Sequence, residues 1–100
     1  MKVEVPSGAD LTRADRMVER QCRRIGLMES AKTSLKACPG SVHWHFKKEG
    51  LRGTLEVTYW PARRSILISV HQNRKGEWTS RAAKELRSLM DAELKGRRSP

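Results

Sequence analysis

The chain has 100 residues, with 21 lysines and arginines against 11 acidic residues and a formal charge of +10. That length suits one domain with a single core. No apolar run approaches membrane-spanning length, and two cysteines, Cys22 and Cys38, are too few for a disulfide framework and too far apart for a dense zinc motif.

Residues 1–9 contain Pro6 and Gly8 and read as a flexible leader without the apolar stretch of a signal peptide. Residues 10–95 read as one α+β domain and 96–100 as a basic tail. Asp10 or Thr12 can cap a first helix, and Thr12 with Asp15 has capping-box spacing. Leu11, Ala14, Met17, Val18, Cys22 and Ile25 then recur at helical spacing, with Arg13, Arg16, Glu19, Arg20 and Arg23 on the opposite face. Gly26 suits the left-handed position that ends such a helix, with Leu27 as the accompanying apolar contact.

A first strand is expected over 32–37, turned by Cys38-Pro39-Gly40-Ser41, where Pro and Gly occupy the central positions of a type II turn. Alternating, β-branched segments follow at SVHWHF, RGTLEVTYW and RSILISVH, separated by reversals at Glu49-Gly50-Leu51-Arg52 and Pro61-Ala62-Arg63-Arg64. Gln72 to Gly76 is a polar loop. Thr79 or Ser80 can cap a last helix with Ala82, Leu86, Leu89, Met90 and Leu94 on its apolar side. Trp78 is placed to plug the edge of the core.

Turn positions set the register of each hairpin. They align Leu35 with Trp44 and Thr33 with Phe46, then Trp44 with Val57 and Phe46 with Leu55, then Val57 with Ile68 and Tyr59 with Ile66. Apolar residues fall on one face throughout. The expected fold is therefore a two-layer α+β domain: a four-stranded antiparallel meander with the N- and C-terminal helices on one face, in the order α-β-β-β-β-α.

The same register places three rows on the other face: Lys36, His43, Thr58, Leu67; Ser34, His45, Glu56, Ser69; and Lys32, Lys47, Thr54, His71. The cluster His43, His45, Glu56 and His71 thus shares one side, with His45 and Glu56 about 5 Å apart at Cβ. Imidazole and carboxylate are zinc ligands, but His45 and His71 stand about 10 Å apart, two strands away. With no dense ligand motif, the expectation is a solvated face carrying a His–Glu contact, and neither a metal nor a cofactor. His45 oriented by Glu56 has the form of a general base. No nucleophile motif or glycine-rich phosphate loop accompanies it, so a non-enzymatic domain is expected.

Charge points elsewhere. Lys32, Lys36, Lys47 and Lys48 are placed on or beside the open face, Arg63, Arg64, Arg74 and Lys75 in loops, and Arg81, Lys84 and Arg87 along the last helix. Such groups can hold phosphates without reading bases. The reading is a small basic domain binding nucleic acid, duplex or nonspecific, in a reducing cytoplasmic setting. The alternative is a protein-interaction or homodimeric module that pairs through the outer strands, 32–37 or 65–71.

The order helix, antiparallel strands, helix resembles the double-stranded RNA-binding domain. Gly76, Ser80 and Arg81 match positions that open that family's last helix. Trp78 stands where the family has glycine, Ala82 where it has lysine, and a strand at 32–37 is foreign to it. The resemblance does not extend to an assignment.

Overall fold

The computed structural model describes residues 1–6, 13–70 and 77–95. In chain order it has β1 (Lys2–Glu4), α1 (Ala14–Arg24), β2 (Met28–Thr33), β3 (Val42–Lys47), β4 (Leu55–Trp60), a 3-10 turn (Pro61–Arg63), β5 (Ser65–Val70) and α2 (Glu77–Leu94). The strands form one antiparallel sheet in the order β1-β5-β4-β3-β2. The α+β class matches expectation, but the sheet has five strands, not four.

The two central hairpins keep the register read from their turns. Trp44 pairs with Val57 and Phe46 with Leu55, then Val57 with Ile68 and Tyr59 with Ile66. Alternation along each strand sends these residues to one side, where they join Met17, Val18 and Cys22 of α1 and Ala83, Leu86 and Met90 of α2 in a single buried cluster.

The fifth strand comes from the segment read as leader. Lys2-Val3-Glu4-Val5 alternates, and Val3 lies opposite Ile66 with its side chain in the core. Met1 N donates to Ile68 O at 2.8 Å, and Ile68 N donates to Met1 O at 2.7 Å. Val5 N donates to Arg64 O at 2.9 Å. β5 is therefore an inner strand, and the sheet edges are β1 and β2.

The strand expected at 32–37 is displaced to Met28–Thr33. Its connection to β3 is not a tight hairpin but two consecutive turns, closed by Cys38 N to Leu35 O and Ser41 N to Cys38 O, each at 3.0 Å. Buried Ser41 holds them together: its Oγ accepts from Leu35 N at 3.3 Å, and its carbonyl accepts from Ser34 Oγ at 2.7 Å. With this longer connection Lys32 pairs with Trp44, Ala31 with His45 and Thr33 with His43, and a bulge falls between Glu29 and Ala31. The parity of residues 31–33 is inverted relative to expectation.

α1 ends as read. Gly26 has φ +83. Gly26 N donates to Arg23 O and Leu27 N to Cys22 O, both at 3.0 Å, and Leu27 is buried. At its start the N-cap residue is Arg13, whose side chain makes no capping hydrogen bond; Asp10 and Thr12 lie outside the described residues. α2 starts before the expected caps. Thr79 and Ser80 lie in its first turn, and Thr79 is buried. Trp78 is half-buried against that core, with Nε1 donating to Arg52 O at 2.6 Å.

Candidate functional site

The open face of the sheet gathers its polar groups on β3 and β4. His43 pairs with Thr58 and His45 with Glu56, so the two imidazoles and the carboxylate project from adjacent strands to the same side. His43 Nε2 lies 3.3 Å from Glu56 Oε1, and His45 Nε2 lies 3.8 Å from Glu56 Oε2. The two Nε2 atoms are 3.2 Å apart, and the rings meet edge-on at 76°. His43 Nδ1 shares a 2.7 Å hydrogen bond with Thr58 Oγ1. The His43 and Glu56 side chains are largely buried, at 12% and 17% exposed, whereas His45 is 40% exposed.

The hairpin register places His43, His45 and Glu56 on one face, and they meet there. It also places Thr58 in the row of His43 but gives it no role. The signal was present, since a directly paired threonine can fix an imidazole's tautomer. His71, the fourth member of the expected cluster, lies outside the described residues.

Among the described residues, the expected basic groups do not gather on this face. Lys32 is on the helical side, where its Nζ lies 2.7 Å from Glu19 Oε2 and 5.8 Å from the Trp44 ring centroid. The inverted parity of β2 is the reason. Lys36 is exposed in the 34–41 connection and Lys47 on the open face, while Lys48 is half-buried where the next turn begins. Arg63 lies over the Trp60 ring at 4.9 Å. Half-buried Arg64 has φ 49 and donates from Nη1 to Pro6 O at 3.0 Å, so it secures the chain that follows β1. Arg74 and Lys75 lie outside the described residues. Arg81 and Lys84 are exposed along α2, as is Arg87. The open strand face carries Lys2 and Lys47 against Glu4 and Glu56, a balanced set.

The helical layer carries the denser positive charge. Arg13, Arg16, Arg20, Arg23 and Arg24 are all exposed on or next to α1. Two acids nearby are engaged. Glu19 accepts from Trp44 Nε1 at 2.9 Å and pairs with Lys32. Burial pushes its carboxyl up, but hydrogen bonds from Lys32 and Trp44, with the charges of Lys32 and Arg23, hold it below the ordinary value. Glu93 of α2 pairs with Arg20 and accepts from Gln21 Nε2 at 2.7 Å. Burial likewise raises it, while Gln21, Arg20 and Arg24 together bring it below the ordinary value. Among the described residues, Arg16, Arg23 and Arg24 pair with no carboxylate. The sequence showed these arginines only as the polar face of a helix; their spacing was the available signal for a charged stripe.

No aromatic ring is exposed: Trp44, Phe46 and Tyr59 are buried, and Trp60 and Trp78 are half-buried. Trp60 Nε1 also donates to Pro39 O at 3.2 Å. Burial pushes the Cys22 thiol up to about 12, with Glu19 and Glu29 adding to the effect, which disfavours the thiolate. Among the described residues no helix is long and apolar enough to cross a membrane. Comparison with known proteins finds no matching family model, no matching curated protein and no matching solved structure.

Proposed function

We propose that the protein binds duplex nucleic acid through its phosphates, with the exposed arginines of α1 as the main contact and Arg81, Lys84 and Arg87 of α2 as further cations. The observation that carries this reading is that Arg16, Arg23 and Arg24 are exposed while Glu19 and Glu93 are held by Lys32, Trp44, Arg20 and Gln21. Guanidinium groups on one helix can follow a phosphate backbone without base contacts. The lack of an exposed ring favours duplex over stacked single strands, because single-strand platforms depend on accessible aromatics. The resemblance to a double-stranded RNA-binding domain adds no support: Ser80 sits inside the first turn of α2, which begins at Glu77.

Strand-edge association is the weaker reading. β1 is short, and β2 carries Glu29, Lys32 and the bulge beside Ser30, all features that discourage strand addition. Two free cysteines, one deeply buried, accord with a reducing setting.

Fluorescence anisotropy against duplex RNA, duplex DNA and single strands, at several salt concentrations, tests the proposal. A duplex should bind more tightly than a single strand. Replacing Arg16, Arg23 and Arg24 together by Gln should flatten the slope of log K against log salt by about 2.7, the value for three lost phosphate contacts. Lys47→Gln should leave duplex affinity close to wild type. Absence of duplex binding at low salt, or a triple variant that binds like wild type, overturns the assignment.

A further inference from the structure

We infer that His43, His45 and Glu56 form a binding site for one zinc-class divalent ion, held by three protein ligands with a fourth position open to solvent. The geometry carries the argument. Zinc takes imidazole nitrogen and carboxylate oxygen at about 2.0–2.2 Å in tetrahedral array, which fixes neighbouring ligand atoms about 3.3 Å apart. Here the two Nε2 atoms are 3.2 Å apart, His43 Nε2 is 3.3 Å from Glu56 Oε1, and His45 Nε2 is 3.8 Å from Oε2, so the carboxylate presents one oxygen toward each ring. One ligand atom from each residue lies within 4.8 Å of the others. Both histidines direct Nε2, not Nδ1, at the shared point.

Local structure fixes this convergence. Side chains two residues apart on β3 emerge on the same face, and Glu56 stands directly across from His45. Thr58 supplies the outer contact. With Nδ1–H of His43 donating to Thr58 Oγ1, Nε2 is left with its lone pair toward the ion, the tautomer that ligation requires. The two Nε2 atoms face each other and the same carboxylate. A dication satisfies all three at once.

Ligand chemistry selects the ion. Two imidazoles with one carboxylate suit zinc, cobalt or nickel, while calcium and magnesium want oxygen shells that this site lacks. The ligand set carries one negative charge, so the bound dication retains one positive charge for water or a small anion at the open position. His45, the most exposed of the three, marks the solvent side. The site is on the sheet face away from the helices, and the inference stands independently of nucleic-acid binding.

Calorimetric titration of the full chain with zinc tests it, alongside nitrogen-15 spectra of the histidine rings. Wild type should take up one zinc ion per chain, with the Nε2 signals of His43 and His45 shifting in parallel. Cobalt should bind and give the intense visible absorption of a tetrahedral site; magnesium and calcium should not bind. His45→Ala and Glu56→Gln should each abolish saturable uptake while the far-UV spectrum stays native. Thr58→Val should weaken zinc roughly tenfold, as loss of an outer-shell partner does. Cys38→Ser should bind as wild type. The assignment is overturned by ring signals that do not move in excess zinc, by His45→Ala binding like wild type, or by loss of binding in Cys38→Ser.

Discussion

At the scale of single residues, the central device of the core is polar. Trp44 is fully buried, with 0% exposure, and its indole N–H must find an acceptor. Glu19 provides it from α1 while also pairing with Lys32 from β2. Glu19→Ala leaves the buried N–H unpaired and should cost about 1–3 kcal/mol in urea unfolding. Glu19→Gln keeps an acceptor and loses only a partly exposed ion pair, so it should cost about 1 kcal/mol or less. Equal losses in the two variants would show that charge, not the indole bond, matters. Cys22 gives a second residue-level expectation. Buried and with its pKa pushed up to about 12, it should resist alkylation in the native state at neutral pH, and half-buried Cys38 should be modified first. Mass spectrometry of partly alkylated protein decides the order.

At the scale of elements, α1 is fastened by two carboxylates, Glu19 to the sheet and Glu93 to α2. Both are held below their ordinary value of 4.5 in the folded protein. Their stabilisation is therefore full above that value and declines as pH falls through the lower folded-state pKa. Lys32 is raised above 10.5 by its bond to Glu19, so its share holds below that pH and fades as pH rises through the folded value. Melting temperatures should drop on acidification below 4.5, and a double Glu19→Gln, Glu93→Gln variant should lose most of that dependence. The 48–54 connection rests on close approach. Gly53 has φ +111, and a Cβ there would lie 3.1 Å from Thr79 Cγ2 and 3.3 Å from Trp78 Nε1. Gly53→Ala should cost about 1–3 kcal/mol by backbone strain alone. Denaturant midpoints unchanged from wild type would remove this account.

At the scale of the molecule, the charge of +10 is divided unevenly. The exposed guanidinium groups of α1 repel one another, and the ion pairs are mostly at the surface, where salt weakens them little in absolute terms. Screening should therefore raise the melting temperature as sodium chloride is added at neutral pH; a fall would mean that surface pairs outweigh the repulsion. The tertiary arrangement also explains which readings of the sequence succeeded. Trp44, Val57 and Ile68 were legible as neighbours because β3, β4 and β5 join through short reversals, and a short reversal leaves only one register that keeps every apolar residue on one side. That same register placed His43, His45 and Glu56 together. β2 was misread because the Pro39-Gly40 turn is one of two in the connection, so turn chemistry no longer counts residues back to the strand. The resulting slip moved Lys32 to the far side of the sheet. β1 was missed because its partner, β5, is distant along the chain, and no local signal announces such a pairing. The sequence by itself determined the two amphipathic helices, the faces of the three central strands and the sharing of one side by the imidazoles and the carboxylate, since all of these follow from periodicity and nearby turns. Only the tertiary structure decided which strands lie at the edges, where Lys32 points and how closely the two Nε2 atoms and the carboxylate converge, because those depend on contacts between segments that the chain does not place side by side.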